Sequence, residues 1–269
     1  MTILKKITLP HFPVHDVDVE HNPRDYYVAL AAFVGVALCF IIDSVAGPNL
    51  QRALGVAGWV TLFVFLAGES AHVRAQVLVA VAFATLGEHF ASIYMAGYTY
   101  RMENVPAFVP PGHGIVYLTA VVLGRSGFFQ RHARKILQFV VVFGGIWAAL
   151  ALFGISGRKD EIGAILFTIY LIFLLKGRSS MVYLGAFFIT TWVELVGTAL
   201  GTWNWAAIDP ASTLAQGNPP SGVAAWYCLV DAVALAGSAF LLQKIERYNL
   251  KRLAWPKFAR LSGIKNTTK

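Results

Sequence analysis

Eight stretches of this 269-residue chain are apolar for about the length that a bilayer demands. They run over roughly 27–46, 53–69, 74–97, 112–124, 136–155, 161–176, 181–203 and 222–243. A spanning helix needs about 20 mostly apolar residues, somewhat fewer where flanking charges snorkel. The second, fourth and sixth stretches are short; the fourth starts inside the Pro110-Pro111 turn and the sixth ends at Lys176 and Arg178. The expectation is all-α: a polytopic integral membrane bundle of about eight transmembrane helices. Composition agrees, with 57% hydrophobic and 13% charged residues, where a soluble domain carries about 25% charged ones. A soluble globular domain, a disordered chain and a nucleic-acid-binding domain are excluded. The net charge of +8 has the sign of a DNA binder's but another origin.

Basic residues collect on the cytoplasmic side of membrane proteins. With the N-terminus inside, that side receives 18 of the 22 Lys and Arg residues, eight of them in the tail from Lys244 to Lys269. The other side receives Arg52, Arg101, Arg158 and Lys159. The split predicts both termini in the cytoplasm, a cell-membrane location and an even number of spans, with the tail lying on anionic headgroups. A polar segment with His11, His15 and His21 precedes the first apolar run, and no small-residue cleavage site closes that run. The first span is therefore expected to stay in the mature protein. The three tail histidines have no carboxylate or Cys at ligand spacing and read as a solvated tail. Cys39 and Cys228 fall within spans and read as small buried hydrophobes.

The chain looks written twice. Phe65–Val73 lines up with Leu174–Val182 as an apolar run, a glycine, a polar turn and a new span. At the same offset Pro110-Pro111 falls on Pro219-Pro220, each just before a span that carries a tyrosine, Tyr117 or Tyr227. Glu88 precedes Gly97-Tyr98-Thr99-Tyr100, and Glu194 precedes Gly201-Thr202-Trp203-Asn204-Trp205. The organisation expected is a tail over 1–26, four-helix repeats over 27–130 and 131–243, and a basic tail over 244–269. Parallel repeats of this kind are related by an axis along the membrane normal, with function where they meet.

Ionisable residues inside a bilayer cost several kcal/mol unless they are paired or wetted, so each marks a candidate site. Here they are Glu88, His89, Glu194 and Asp231, all placed by the topology in the outer half or near the midplane. Glu88 and His89 lie about 100° apart on a helix and cannot point along one line. His113, between glycines in Pro110-Pro111-Gly112-His113-Gly114, either holds its imidazole over a cavity or caps a helix end. Tyr117 follows it by one turn, and Tyr227 precedes Asp231 by one turn. Trp203 and Trp205 are interfacial anchors or cavity lining. Glu69 and His72, at an inner boundary, read as a solvated helix end.

Three mechanisms could use these groups. A buried carboxyl could protonate an alkene or epoxide, with aromatic faces stabilising the carbocation. Glu88, His89, His113 and Asp231 could bind a metal, although no HExxH, His-box or Cys ligand set is present, so none is expected. The carboxyls and histidines could instead relay protons in a transporter.

Over Glu194–Pro220 the pattern of Glu194, Gly197, Gly201, Trp203, Trp205, Pro219 and Pro220 resembles polytopic carotenoid-biosynthesis membrane proteins, the carotenoid hydratase and lycopene-cyclase-like families. The resemblance covers 30 to 40 residues plus the span number, and the PPGHG segment departs from it. It implies proton-initiated chemistry on a long polyene or isoprenoid, with a carboxyl as acid and no redox cofactor. The expectation is a membrane enzyme that cyclises, isomerises or hydrates such a molecule within the bilayer. Its catalytic candidates are Glu88, Glu194, Asp231 and His113, and its substrate-binding candidates His89, Tyr117, Trp203, Trp205 and Tyr227. The alternative is a transporter, or a subunit of a larger complex with a membrane-protein partner.

Overall fold

The computed structural model describes residues 22–155 and 157–261, with side chains as far as Arg247. Both tails beyond these limits, with the tail histidines and the tail's headgroup contacts, lie outside the described residues. The described residues form eight α-helices: α1 (Pro23–Asp43), α2 (Pro48–Ala67), α3 (Ala71–Glu88), α4 (Val109–Arg125), α5 (Gly127–Leu152), α6 (Glu161–Lys176), α7 (Ser180–Ala199) and α8 (Ala224–Leu261). Local chemistry starts them. Asn22, Ser70, Ser126 and Asp160 cap α1, α3, α5 and α6 by accepting a backbone N–H from the first turn. That satisfies donors a helix start otherwise leaves unpaired.

Six of the described helices are long and apolar enough to cross a membrane: α1, α2, α3 with its extension to Tyr94, α5, α7, and α8 as far as Arg247. Their outward faces agree. On α2, Val56, Val60, Phe63 and Val64 stand exposed, and α1 and α5 present similar stripes. A water-soluble surface does not carry contiguous apolar patches of this size.

The shorter α4 is the axis of the bundle. Eleven of its residues, among them Tyr117, Leu118 and Val122, are buried. It packs most extensively on α7, while α3 packs most extensively on α8. A Cβ at Gly185 would meet the Ala120 carbonyl and one at Gly124 the Met181 carbonyl, so glycine lets α4 and α7 approach closely.

The two ends of the bundle differ. At the basic end Arg125 donates to both Asp25 and Glu69, and Arg24 donates to Glu69 and the Phe65 carbonyl. Glu69, expected as part of a solvated helix end, is buried in this network, while His72 is exposed. The reason is long-range: its partners come from residues 45 and 56 positions away. The opposite end carries two short strands, β1 (Tyr98–Tyr100) and β2 (Trp203–Trp205), paired antiparallel with Tyr98 opposite Trp205 and Tyr100 opposite Trp203. A cap over this ribbon is pinned by Arg158, which donates to the carbonyls of Trp205, Ala206 and Gly217. The Asp160 carboxylate accepts from the backbone N–H groups of Gly163, Gly217 and Ser221.

Candidate functional site

Side chains alternate across a strand, so residues two apart share a face. On the ribbon, Tyr98 and Tyr100 of β1 therefore stand beside Trp203 and Trp205 of β2, while Thr99 and Asn204 point away and are exposed. Tyr98 and Trp205 have ring centroids 4.6 Å apart, and Tyr100 and Trp203 6.0 Å apart. The ribbon thus presents a panel of four touching rings to the bundle beneath.

Each half of the panel holds a carboxyl. Tyr98 and Tyr100 donate their hydroxyls to Glu88 Oε2 at 2.6 and 2.7 Å. Trp203 and Trp205 donate their indole N–H groups to Glu194 Oε2 at 3.1 and 2.9 Å. The phenols follow Glu88 by 10 and 12 residues, and the indoles follow Glu194 by 9 and 11. A π-helical turn over His89–Tyr94 continues α3, and the tight turns at Ala96 (φ 54°) and Gly201 (φ 69°) then double each chain back so that its rings reach its own acid.

His113 joins the first acid. Its Nε2 lies 3.1 Å from Glu88 Oε1, and its Nδ1 lies 2.7 Å from the Tyr227 hydroxyl. Pro110 and Pro111 occupy the first turn of α4, where missing N–H groups cost nothing, so His113 is a cavity residue and not a cap. Glu88 thus has a basic partner and two hydroxyl donors. Glu194 has no basic partner among the described residues, and both its donors serve one oxygen.

Both carboxyls, His113, Tyr98, Tyr100, Trp203, Trp205 and Tyr227 face one cavity of about 660 Å³. Its remaining wall is mostly apolar, from α1, α2, α3, α4, α7 and α8, and the loop that follows β2 adds Gln216 and the half-exposed carboxylate of Asp209. The residues that both line it and stand exposed are Ala31, Gly35, Leu38 and Ile42 of α1, Ala57 of α2, Gly87 of α3, Phe90 of the π-helical turn that follows it, and Trp226 and Leu229 of α8. No charged side chain stands among these rim residues. These exposed lining residues continue the apolar stripes of α1 and α2, and the ribbon lines the polar end of the cavity.

Three expected site residues lie elsewhere. His89 is exposed and its Nδ1 lies 2.8 Å from the Thr85 carbonyl; one step along the helix from Glu88 turns it away from the cavity. Tyr117 and Asp231 do not line the cavity either. They meet each other, Tyr117 donating to Asp231 Oδ1 at 2.9 Å inside the packed core, one turn further toward the basic end. Conversely, Tyr98 and Tyr100 were not among the expected site residues. Their signal was present: two aromatic residues spaced by one, about ten residues after a membrane glutamate, as in Trp203 and Trp205. No three His, Cys, Asp or Glu side chains among the described residues meet as a metal site would require. No protein-family model matches the chain, and neither the curated proteins nor the solved structures contain a match.

Proposed function

We propose that this chain is an integral membrane enzyme that cyclises, isomerises or hydrates a long isoprenoid-like polyene by proton-initiated chemistry. One observation carries the reading: two half-buried carboxyls with different partners face a single, largely apolar cavity whose fully exposed lining residues are all apolar. A bilayer-dissolved hydrocarbon meets these exposed apolar residues directly, whereas a polar solute finds polar lining only at Asp209 and Gln216 beside the ribbon. This weighs against a transporter of polar solutes.

Partners divide the roles. Glu194, held by two neutral donors and no base, is the acid; Glu88, paired with His113, is the base. Glu194 passes its proton to one carbon of a double bond, leaving a carbocation on the other. The Trp203, Trp205, Tyr98 and Tyr100 faces stabilise that charge through their ring quadrupoles. The cation then loses a neighbouring proton to Glu88–His113, with or without ring closure, or takes up water whose spare proton goes to the same pair. A proton returned across the shared cavity from Glu88 to Glu194 restores both groups for the next turnover.

In this reading all eight helices span the bilayer, with the basic end and both termini in the cytoplasm. Arg24, Arg125, Lys176 and Arg178 gather at that end and support the orientation. A duplicated four-helix unit explains why α4 on α7 and α3 on α8 are matching pairs, and why β1 and β2 each deliver two rings to the acid before them. The helices α1 and α5 break the likeness: α1 packs on α4 and α7, α5 on α6 and α7.

The test compares lipid and pigment extracts from a deletion strain carrying the wild type, Glu194→Gln or Glu88→Gln. The wild type converts an accumulated acyclic precursor, and both amides leave it unconverted while the folded protein persists in the membrane. Conversion by both amide variants contradicts the reading.

A further inference from the structure

Among the described residues, the buried carboxyls within helices outside the cavity are Asp25 and Asp43, at the two ends of α1, and Asp231, 1% exposed, which lies further inside its helix and which the proposed chemistry leaves unused. It belongs to a pattern. His113 and Tyr227 form one rung between α4 and α8, and Tyr117 and Asp231 form a second. Both members of the second rung come four residues later, one turn toward the basic end. At about 1.5 Å per residue the rungs are about 6 Å apart, which is the span of one water bonded to both at about 2.8 Å each.

Below the second rung the polar groups continue. Asp231 Oδ2 is buried without a hydrogen bond. The polar side chains beside this carboxyl, besides Tyr117 of α4, are Ser179 and Tyr183 at the start of α7 and Cys228 on its own helix. Ser179 is half-buried in the turn between α6 and α7, flanked by Lys176 and Arg178 at the basic end. The surroundings are Leu118, Val122, Val230 and Ala234. In so apolar a core each polar group is a cost, and a set aligned from one surface to a cavity is what a proton relay requires.

We propose that Ser179, Tyr183, Asp231, Tyr117, Tyr227 and His113 form a proton path from the basic end of the bundle to Glu88 in the cavity. Each step moves a proton from one oxygen or nitrogen to the next while the acceptor releases its own, so the file returns to its starting state once a proton has passed. The ribbon and cap close the far side, so protons enter and leave at the basic end and do not cross. The path deepens the proposed function by letting the cavity carboxyls exchange protons with the basic end, but its geometry stands without any substrate.

The test is charge movement in the full chain, reconstituted into liposomes and adsorbed on a solid-supported membrane, after a step in bath pH. The wild type gives a transient current that decays to zero, because protons move part-way into the membrane and stop. Asp231→Asn and Tyr117→Phe lose the transient. His89→Gln, which alters an ionisable group at the end of α3 and off the path, keeps it. Tyr117→Phe removes one hydroxyl only and guards against misfolding of the Asp231 variant. No transient in the wild type, an equal transient in Tyr117→Phe, or a sustained current each overturns the proposal. None of these outcomes bears on conversion of a polyene, which the extracts test separately.

Discussion

Glu69 illustrates how a single residue is decided by distant sequence. Burial alone raises its pKa, but hydrogen bonds and charge from Arg125 and Arg24 outweigh that and hold it below the ordinary 4.5. A carboxylate with a depressed folded pKa contributes stability that is complete above its unfolded value and is lost as pH falls through the folded one. The thermal unfolding midpoint in detergent should therefore be level above about pH 5 and decline below about pH 4. Arg125→Ala leaves Asp25 and Glu69 buried with fewer partners and should cost about 3 kcal/mol. It should also move the acid decline to higher pH. A flat profile from pH 3 to pH 7, in steps of about 0.5 around the carboxylate range, would remove the network from the stability account.

That network was illegible in the sequence because hydropathy ranks residues one at a time. Read locally, Glu69 before Ser70 and His72 is a polar turn; its burial depends on where Arg24 and Arg125 fold. The candidate site divides along the same line. Glu88, Glu194, His113, Tyr227, Trp203 and Trp205 were recognisable because polar and aromatic groups in or beside spans are conspicuous against an apolar background. That Asp231 meets Tyr117 and not the cavity depends on the register between α4 and α8, which no local pattern encodes.

Among elements, helix existence was legible and helix ends were not. The stretch expected over 181–203 stops as α7 at Ala199, because Gly201 turns the chain into β2. The stretch expected over 136–155 is preceded in α5 by a first segment from Gly127, capped by Ser126 and joined to the rest through a kink at His132. Arg131, Arg134 and Lys135 made those first turns look like loop. Hydropathy registers what lipid will accept, and a helix can start before the lipid does. The helices around the mouth carry a prediction of their own. Cys39 on α1 lines the cavity and is half-buried, whereas Cys228 is fully buried in the core. In liposomes a lipophilic maleimide should modify Cys39 and spare Cys228, and squalene, a long acyclic polyene, should slow the reaction. Modification at the same rate with and without squalene, followed by mass spectrometry of the intact chain, would mean that the cavity does not admit such a molecule from the bilayer.

Over the whole molecule, the fold is a helix bundle with a hydrogen-bonded ribbon closing one end and an ion network tying the other. Six helices meet the length and apolarity of a membrane span, and the cavity sits under the ribbon where the two halves of the chain pair. Among the described residues, Arg24, Arg125, Lys176 and Arg178 lie at helix ends away from the ribbon. The account's central claim is that a cavity carboxyl passes a proton to carbon. The direct measurement is turnover of an acyclic polyene by the reconstituted chain in D2O, with mass spectrometry of the product. The account predicts one deuterium at a carbon position that does not wash out in H2O, and no product from Glu194→Gln. Product formed without carbon-bound deuterium, or formed equally by Glu194→Gln, would contradict it.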